Sequence, residues 1–265
     1  MHKNEMYQNP VKKALRERNL CLGAWIQIGH PAIAEIFATA GFEWIAADIE
    51  HTDIDVEGFT GIARGMHGRG AVPMARVREN DPLAIRQVLD GGAMGVIVPL
   101  VNNAEEALKA VRAAKFPPAG IRGFAFCRGN DWGYGFDAYA KKANDQIAVV
   151  VMIESREAVE NIDSILQVDG VDGVFVGPYD MTGSYGVIGQ TSHEVIREAL
   201  GRVLAACGKH GKSAGIHVVR PDKGAVEEAI RRGFTFIALG MDTVFLAEAS
   251  KETLAAAGRV REGRV

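Results

Sequence analysis

The stretch from Val149 to Gly186 reads VVVMIESREAVENIDSILQVDGVDGVFVGPYDMTGSYG and decides the fold. An apolar run ends at Glu154, an amphipathic segment follows, and a second apolar run opens into Gly177. This order predicts two buried parallel strands joined by a helix. The carboxyl ends of both strands would emerge on one side of the sheet, which places the carboxylates of Glu154 and Asp180 side by side.

The same alternation of apolar runs and amphipathic segments extends along the rest of the chain. The runs are continuously apolar, as expected for parallel strands covered by helices. The predicted strands are Leu22–Ile28, Trp44–Asp48, Val72–Val77, Gly95–Pro99, Val149–Ile153, Gly173–Val176, Ala214–Val218 and Phe236–Leu239. The predicted helices are Pro31–Ala40, Val56–His67, Pro82–Asp90, Ala104–Ala114, Arg156–Leu166, His193–His210, Lys223–Arg232 and Thr243–Ala257. Eight such units predict an α/β protein with a (β/α)8 TIM barrel fold.

Two regions of the chain depart from this repeat within one predicted domain of residues 1–265. A helical extension is predicted at the N-terminus, over about residues 1–20. A long insertion, residues 116–145, separates the fourth unit from the fifth and is rich in glycine and aromatic residues. Insertions of this length are more often functional loops than linkers.

The amino-acid composition indicates which partners and which cellular compartment to expect. A formal net charge of -3 gives no electrostatic reason to expect nucleic acid or an anionic membrane as a partner. The three cysteines, Cys21, Cys127 and Cys207, lack metal-ligand spacing and are predicted to be buried or free thiols in a reducing cytoplasm. The chain shows no apolar run long enough to cross a membrane and no signal peptide at its start. A soluble, cytoplasmic protein is expected.

Chemically reactive side chains follow the predicted strands, where the active sites of barrels lie. The second strand leads to three of them, the third to two, and the fifth, sixth and seventh to one each. They are Asp48, Glu50, His51, Arg76, Arg78, Glu154, Asp180 and His217. His30 and His217 are secondary candidates because no spacing argument supports them.

Glu154 and Asp180 are candidate ligands of a divalent metal ion. Two carboxylates side by side repel each other unless a cation lies between them. With water and substrate oxygens in the other positions they suit Mg²⁺ or Mn²⁺, and Co²⁺ stays open. The alternatives are a salt bridge from Glu154 to Arg156 or a neighbouring arginine, and a helix N-cap by Asp180 for a helix that begins at Met181.

His51, Asp48 and Arg76 are candidate catalytic residues. Asp48 precedes His51 by three residues, so a turn would let the carboxylate orient the imidazole as a general base. A structural, hydrogen-bonded histidine is the alternative. Arg76 would meet an anion or an enolate oxygen, and its alternative is a salt bridge to Glu50 or Glu154.

Five segments resemble the HpcH/HpaI family of class II, metal-dependent pyruvate aldolases, a branch of the phosphoenolpyruvate/pyruvate-binding barrels. The resemblance extends from about Gly23 to the last strand near Gly240. It implies a barrel that assembles as a homohexamer, often with its last helix exchanged between neighbouring subunits. The segments are GFEWIAADIEH (41–51), ARVRENDP (75–82), PPAGIRG (117–123), MIESREAVEN (152–161) and VDGVFVGPYDMTGSYG (171–186).

The resemblance also implies a role for individual residues. Glu154 and Asp180 correspond to metal ligands, His51 and Asp48 to an acid/base pair, and Arg76 to the residue that holds the pyruvate oxygen. The backbone around Gly177, Pro178 and Tyr179 would receive the substrate carboxylate, and Asp90 corresponds to a residue that reaches the neighbouring subunit's site.

Two positions differ from the relatives, and one loop is particular to this chain. Ile49 stands where glycine is frequent, and Tyr179 stands where a small residue often precedes the metal-binding aspartate. The loop 127–139, with Trp132 and Tyr134, is expected to line the aldehyde side of the pocket.

The function that the resemblance implies is cleavage of a 4-hydroxy-2-oxo acid to pyruvate and an aldehyde, or the reverse, through a metal-stabilised enolate. A Schiff-base aldolase would need a lysine at a strand end, and the predicted strands offer none. A CoA-ester lyase or a 2-oxo-acid decarboxylase on the same barrel is an alternative. Two further alternatives are a barrel that binds a sugar acid without catalysing a reaction and an oligomeric barrel with a purely structural role.

Overall fold

The computed structural model describes the backbone of residues 7–262 and the side chains of residues 7–257. Eight parallel strands pair in chain order and close into a barrel. They are β1 (Cys21–Ile26), β2 (Trp44–Asp48), β3 (Val72–Arg76), β4 (Gly95–Val98), β5 (Ala148–Ile153), β6 (Gly173–Val176), β7 (Ser213–Val218) and β8 (Phe236–Met241). The predicted (β/α)8 barrel is confirmed.

Helices cover the outside of this barrel. They are α1 (Pro10–Glu17), α2 (Pro31–Ala40), α3 (Val56–Gly65), α4 (Pro82–Asp90), α5 (Ala104–Ala114), α6 (Phe136–Gln146), α7 (Arg156–Glu160), α8 (Ile162–Leu166), α9 (Pro178–Ser184), α10 (Glu194–His210), α11 (Lys223–Arg232) and α12 (Asp242–Glu262). A short 3-10 helix spans Arg128–Gly133. No helix among the described residues has the length and apolar character that a membrane span requires.

Local hydrogen bonds explain where these elements differ from the predicted ones. The fifth predicted helix is divided into α7 and α8 at Asn161, whose backbone is no longer helical. The first strand ends at Ile26 because the next two amides, of Gln27 and Ile28, donate to the Asp242 carboxylate at 2.9 and 2.8 Å. Two helices, α6 with 11 residues and α9 with seven, were not predicted from the apolar periodicity.

The barrel interior is filled by large apolar side chains that alternate along the strands. Trp44 stacks on Phe236 with ring centroids 4.2 Å apart, and Trp25 meets the edge of Phe175 at 5.5 Å. A Cβ on Gly23 would lie 2.0 Å from the Trp44 indole, so only glycine leaves room for that ring. Burying each such side chain contributes about 1.5–3 kcal/mol to stability. The middle of the barrel is therefore a packed core.

Helix α1 packs against the amino-terminal ends of the strands. Val11 and Leu15 are buried in the same apolar cluster as the barrel interior. Lys12 is also buried, and its Nζ donates to Asp172 Oδ2 at 2.8 Å and to the Ile147 carbonyl at 2.6 Å. Because a buried charge is costly without a partner, these two bonds hold α1 in place. The N-terminal part of the predicted extension, residues 1–6, lies outside the described residues.

The insertion 116–145 lies at the amino-terminal ends of the strands. Arg122 anchors it, since its guanidinium donates to Asp90 Oδ1 at 2.8 Å and to the Tyr139 hydroxyl at 2.9 Å. The guanidinium carbon of Arg122 also stacks 4.6 Å from the Phe116 ring centroid. Gly129 and Tyr139 line a cavity of about 1280 Å³ together with residues that precede β3, β4 and β5.

The expectation that the loop 127–139 lines the aldehyde side is wrong within one subunit. The insertion connects the end of α5 to the start of β5, and both lie at the end of the barrel opposite the strand carboxyl ends. Trp132 and Tyr134 are exposed there. No described residue of the insertion lines the cleft at the carboxyl ends.

Helix α12 extends beyond its own barrel. All side chains from residue 249 to residue 257 are exposed, and Leu254 exposes 74% of its surface. A helix that leaves an apolar side chain in water gains no stability from burying it in its own subunit. Its second half is therefore available for contact with another chain.

Candidate active site

A cleft with a volume of about 610 Å³ opens at the carboxyl ends of the strands. Its floor consists of inward-facing side chains of the barrel, and its rim consists of the last residues of β2 and β3 and of residues that follow β1, β6 and β7. The lining includes Trp25, Gln27, Asp48, Arg76, Met152, Phe175, Gly177, Pro178, Tyr179, Asp180, His217, Val219 and Met241. Most of the predicted site residues therefore lie in or beside one cleft.

The carboxylates of Glu154 and Asp180 converge next to Gly177. Glu154 follows β5 directly, and the pairing of Ile153 with Val176 brings it opposite Gly177. A Cβ on Gly177 would lie 2.9 Å from Glu154 Oε2 and 3.6 Å from Asp180 Oδ2. The absence of a side chain at this glycine leaves a small space faced by oxygens of both acids.

Neither alternative for these two acids is found in the structure. Arg156 forms its salt bridge with Glu160, at 2.8 Å, and not with Glu154. Asp180 is the third residue of α9, and the N-cap of that helix is Gly177. Within the described residues, no hydrogen bond or salt bridge engages the Asp180 side chain.

The surroundings of Glu154 disfavour its charged form. The side chain is buried, and burial, with the nearby Glu50 and Asp180 carboxylates, raises its pKa to about 7. The Leu100 amide donates to Glu154 Oε1 at 2.7 Å, and this bond together with the Arg76 charge opposes the rise. A divalent cation between the acids would stabilise both carboxylates in their charged form.

The raised pKa of Glu154 leads to a prediction for the metal-free protein. Between pH 4.5 and about 7 the unfolded chain has released this proton while the folded chain still holds it. The free energy of unfolding should therefore fall as the pH rises through this range. Glu154→Gln should remove this loss, which is on the order of 3 kcal/mol for a shift of this size.

Urea unfolding of both proteins in EDTA, at pH 4.5 and pH 8, measures this effect. Other groups that titrate in the same range, such as His217, are common to both proteins and cancel in the difference. If the free energies of unfolding of wild type and Glu154→Gln differed by the same amount at both pH values, the prediction would be contradicted.

The donor set fits a hard divalent ion. Two carboxylates supply oxygen ligands of the type that Mg²⁺ and Mn²⁺ prefer. Within residues 7–257, no group of three or more histidine, cysteine, aspartate or glutamate side chains is arranged to hold a metal. Water and substrate oxygens would have to complete the coordination.

The buried Asp48 and the partly buried Arg76 form a two-point ion pair across β2 and β3. Arg76 Nε donates to Asp48 Oδ1 at 2.9 Å, and Nη2 donates to Oδ2 at 2.7 Å. Burial alone would raise the pKa of Asp48, but the bonds and the charge of Arg76 outweigh burial and lower the pKa. The guanidinium carbon lies 4.9 Å from the Trp25 ring centroid. Arg76 is thus held rigidly at the cleft.

The structure does not form the predicted contact between Asp48 and the His51 imidazole. Asp48 Oδ1 accepts instead from the His51 backbone amide at 3.2 Å. Its two oxygens are already occupied by Arg76 and by the Gln27 amide, which donates at 3.2 Å. A carboxylate in a two-point bond with arginine leaves little capacity for a third side chain. Asp48 therefore shapes the loop that carries His51, whose side chain is 59% exposed.

Glu50 is the acid nearest to the His51 ring. Its Oε2 lies 3.6 Å from His51 Nε2 and 3.3 Å from Arg76 Nε. These are charge contacts, since Glu50 Oε2 is buried and accepts no hydrogen bond from the described residues. Burial, with the charges of Asp48 and Asp180, raises the pKa of Glu50 although Arg76 opposes the rise. Its position after β2 was visible in the sequence, but no spacing rule assigned it a role.

The backbone around Gly177 offers fewer donors than the resemblance implied. The Gly177 amide already donates to the Ile153 carbonyl at 3.1 Å, and Pro178 has no N–H. The amides of Tyr179 and Asp180, in the first turn of α9, are the remaining donors there. The Tyr179 side chain is 65% exposed and stands at the mouth of the cleft.

The remaining candidates lie in three different places. His30 is exposed and caps α2, because its Nδ1 accepts from the Ala32 amide at 3.2 Å. Asp90 ends α4 beside Arg122, at the far end of its own barrel. His217, at the end of β7, lines the cleft.

The chain is similar in sequence to known proteins along most of its length. The family model described as HpcH/HpaI aldolase/citrate lyase matches residues 22–249. The chain belongs to this family. It is 39% identical over 251 residues to a 4-hydroxy-2-oxo-heptane-1,7-dioate aldolase of Shigella sonnei, covering 94% of each chain. It is 35% identical over 240 residues to a 5-keto-4-deoxy-D-glucarate aldolase of Enterobacter sp., covering 90% of this chain and 93% of the relative.

A solved structure of the same family shares the barrel. An HpcH/HpaI aldolase/citrate lyase family protein from Burkholderia cenocepacia superposes with a TM-score of 0.89 at 31% identity. The superposition covers 94% of this chain and 99% of the other. The resemblance read from the five sequence segments is therefore confirmed.

Proposed function

We propose that this HpcH/HpaI family member is a class II aldolase that cleaves 4-hydroxy-2-oxo acids to pyruvate and an aldehyde, or forms them. The convergence of two carboxylates at Gly177, on the same rim as Arg76, carries the proposal. The names of the two relatives support it, since both are aldolases of oxo acids.

Glu154 and Asp180 would hold the divalent ion, with Mg²⁺ or Mn²⁺ as the first choices and Co²⁺ as a third. When bound, the ion supplies a Lewis acid beside the 2-oxo group of the substrate. Gly177 keeps the space between the two acids open. The amides of Tyr179 and Asp180 would receive the substrate carboxylate.

Arg76 stabilises the charge that develops on the 2-oxo oxygen. Breaking the bond between carbons three and four leaves its electron pair on the oxo-acid fragment as an enolate. A guanidinium fixed beforehand by Asp48 needs no rearrangement as this charge appears. The enolate then takes a proton at carbon three to give pyruvate.

His51 removes the proton of the 4-hydroxyl, directly or through water. The side chain is exposed at the rim, and the backbone amide of the same residue is held by Asp48. Glu50, 3.6 Å from the ring, stabilises the imidazolium that this step creates. Asp48 thus acts on His51 through the loop backbone and on the substrate through Arg76.

The proposal includes a homohexameric assembly. A homohexamer in which α12 packs on a neighbouring subunit would cover its exposed second half. The same arrangement would allow Asp90 to approach a neighbour's cleft, since it lies far from its own. The cytoplasmic location stays a prediction, and the three buried free cysteines are compatible with it.

Pyruvate release from 4-hydroxy-2-oxo acids, coupled to lactate dehydrogenase, tests the proposed function. We expect cleavage by the purified protein, its loss in EDTA, and its return when Mg²⁺ or Mn²⁺ is added in excess. Full activity in the chelated sample would reject the metal-dependent reaction. A chelated sample of the coupling enzyme with added pyruvate controls for inhibition of the assay itself.

A further inference from the structure

His217 lines the cleft and carries a buried hydrogen-bonding atom. It lies on β7, close to the end of the strand, and its ring meets the edge of Trp25 at a centroid distance of 6.3 Å. Nε2 is buried and has no hydrogen-bond partner among the residues that the structure describes. Buried polar atoms in native proteins nearly always have a partner. An unpaired one on a residue that lines a substrate cleft points to the substrate as its partner.

The hydrogen bonds of the ring show which kind of partner fits. The Gly240 backbone raises the pKa of His217, as a carbonyl oxygen close to a ring N–H does. Since Nε2 has no partner, Nδ1 is the nitrogen that carries the proton toward this carbonyl. Burial lowers the pKa of His217 to about 4, so the ring is neutral at physiological pH. Nε2 therefore carries a lone pair and accepts a hydrogen bond from a ligand.

No other unpaired polar side-chain atom faces this side of the cleft within the described residues. The wall formed by β7, β8 and β1 is otherwise lined by Trp25, Val219 and Met241, with Gln27. The Gln27 amide is engaged, since Nε2 donates to Asp48 at 3.2 Å and Oε1 accepts from Thr243 at 2.9 Å. A ligand hydroxyl on this side would meet His217.

The proposed function places one carbon of the substrate on this side. The carboxylates that would hold the metal lie after β5 and β6, and Arg76 ends β3. A 2-oxo acid whose carboxylate binds at α9 and whose oxo group lies beside Arg76 would direct carbon three toward the remaining wall. In pyruvate that carbon bears only hydrogen, which cannot satisfy Nε2. A hydroxyl on carbon three would.

We propose that His217 determines specificity by accepting a hydrogen bond from a hydroxyl on carbon three of the oxo acid, so that hydroxypyruvate is preferred to pyruvate as the enolate-forming fragment. This inference rests on the proposed function. The substrates are then 3,4-dihydroxy-2-oxo acids. Cleavage breaks the bond between carbons three and four, His51 takes the 4-hydroxyl proton, and the electron pair of the broken bond stays on the oxo-acid fragment as an enolate. Carbon three of this enolate takes one proton, from water or from the His51 imidazolium, and the 3-hydroxyl is unchanged.

Binding of the two oxo acids tests this without turnover. Calorimetric titration of the Mn²⁺-loaded protein with hydroxypyruvate and with pyruvate gives a ratio of dissociation constants. We expect wild type to bind hydroxypyruvate about tenfold or more tightly than pyruvate, because a site built to bond a hydroxyl disfavours the analogue without one. His217→Leu should bring this ratio close to one. The ratio of kcat/KM for addition of the two acids to one shared aldehyde should change in the same direction.

Two further variants separate the hydrogen bond from the shape of the wall. His217→Gln retains an acceptor and should keep part of the preference. Val219→Ile alters the same wall and neither removes nor adds a polar side-chain atom, so its ratio should equal that of wild type. Equal ratios in wild type and His217→Leu, with pyruvate binding detected in both, would overturn the role of His217. Binding of neither acid by the loaded wild type would overturn the proposed function itself.

Discussion

Replacing Glu154 with Gln, or Asp180 with Asn, is expected to lower aldol cleavage by about 10³-fold or more, because a metal that polarises a carbonyl contributes several kcal/mol of transition-state stabilisation. Each variant keeps the size of the side chain and removes one of the two charges beside Gly177. The remaining carboxylate cannot hold the ion alone. Calorimetric titration with Mn²⁺ should show weakened or absent binding in both variants.

Glu160→Gln is the matched control for this experiment. Glu160 is an exposed acid whose partner is Arg156, outside the cleft. Its removal should leave both Mn²⁺ affinity and cleavage at wild-type level. Unchanged Mn²⁺ binding by Glu154→Gln and Asp180→Asn would show that the ion is held elsewhere. Loss of cleavage in the Glu160 variant would indicate a general effect on folding.

The barrel fold could be predicted because its strands correspond to continuous runs of apolar residues in the sequence. The run before Glu154 and the run before Gly177 are β5 and β6, with ends within one residue of the predicted ones. Since parallel strands share a direction, the order of elements also determined which residues meet at the rim. The convergence of Glu154 and Asp180 at one glycine follows from this order.

Contacts within the rim could not be predicted in the same way. A spacing of three residues suggested that Asp48 orients the His51 ring, but it does not show that Arg76 occupies both carboxylate oxygens. Arg76 is 28 residues away in sequence and becomes adjacent only when β2 and β3 pair. Several groups compete for the oxygens of the buried Asp48 carboxylate. Only the three-dimensional structure shows which of them bind.

The position of the insertion could have been inferred from connectivity. A segment between α5 and β5 must lie at the amino-terminal end of the strands, whereas catalytic loops follow strands. Its aromatic residues suggested a pocket wall, but composition does not determine the end of the barrel at which a segment lies. His217 shows the reverse case, since its place on the rim was read correctly but its unpaired Nε2 is visible only in three dimensions.

Arg76→Lys is expected to reduce kcat by about 10²–10³-fold, the cost of losing one preorganised donor at a developing oxyanion. Lysine keeps the positive charge but cannot form the two parallel bonds with Asp48, so its ammonium group is not fixed at the substrate oxygen. Metal affinity should change little, because neither metal-binding acid depends on this bond. Steady-state cleavage and Mn²⁺ titration of the same preparation measure both quantities.

The comparison with Arg69→Lys makes this result specific to the cleft. Arg69 is a partly exposed arginine that pairs with Glu35 at 3.2 Å, and its replacement by lysine should leave kcat unchanged. If Arg76→Lys retained wild-type kcat, charge alone at this position would suffice and the rigid pair with Asp48 would have no catalytic role. If it lost Mn²⁺ binding as well, Arg76 would support the metal site and not the enolate oxygen. A fall in kcat with Mn²⁺ binding preserved separates the two effects, because the enolate forms only during turnover whereas the ion binds before it.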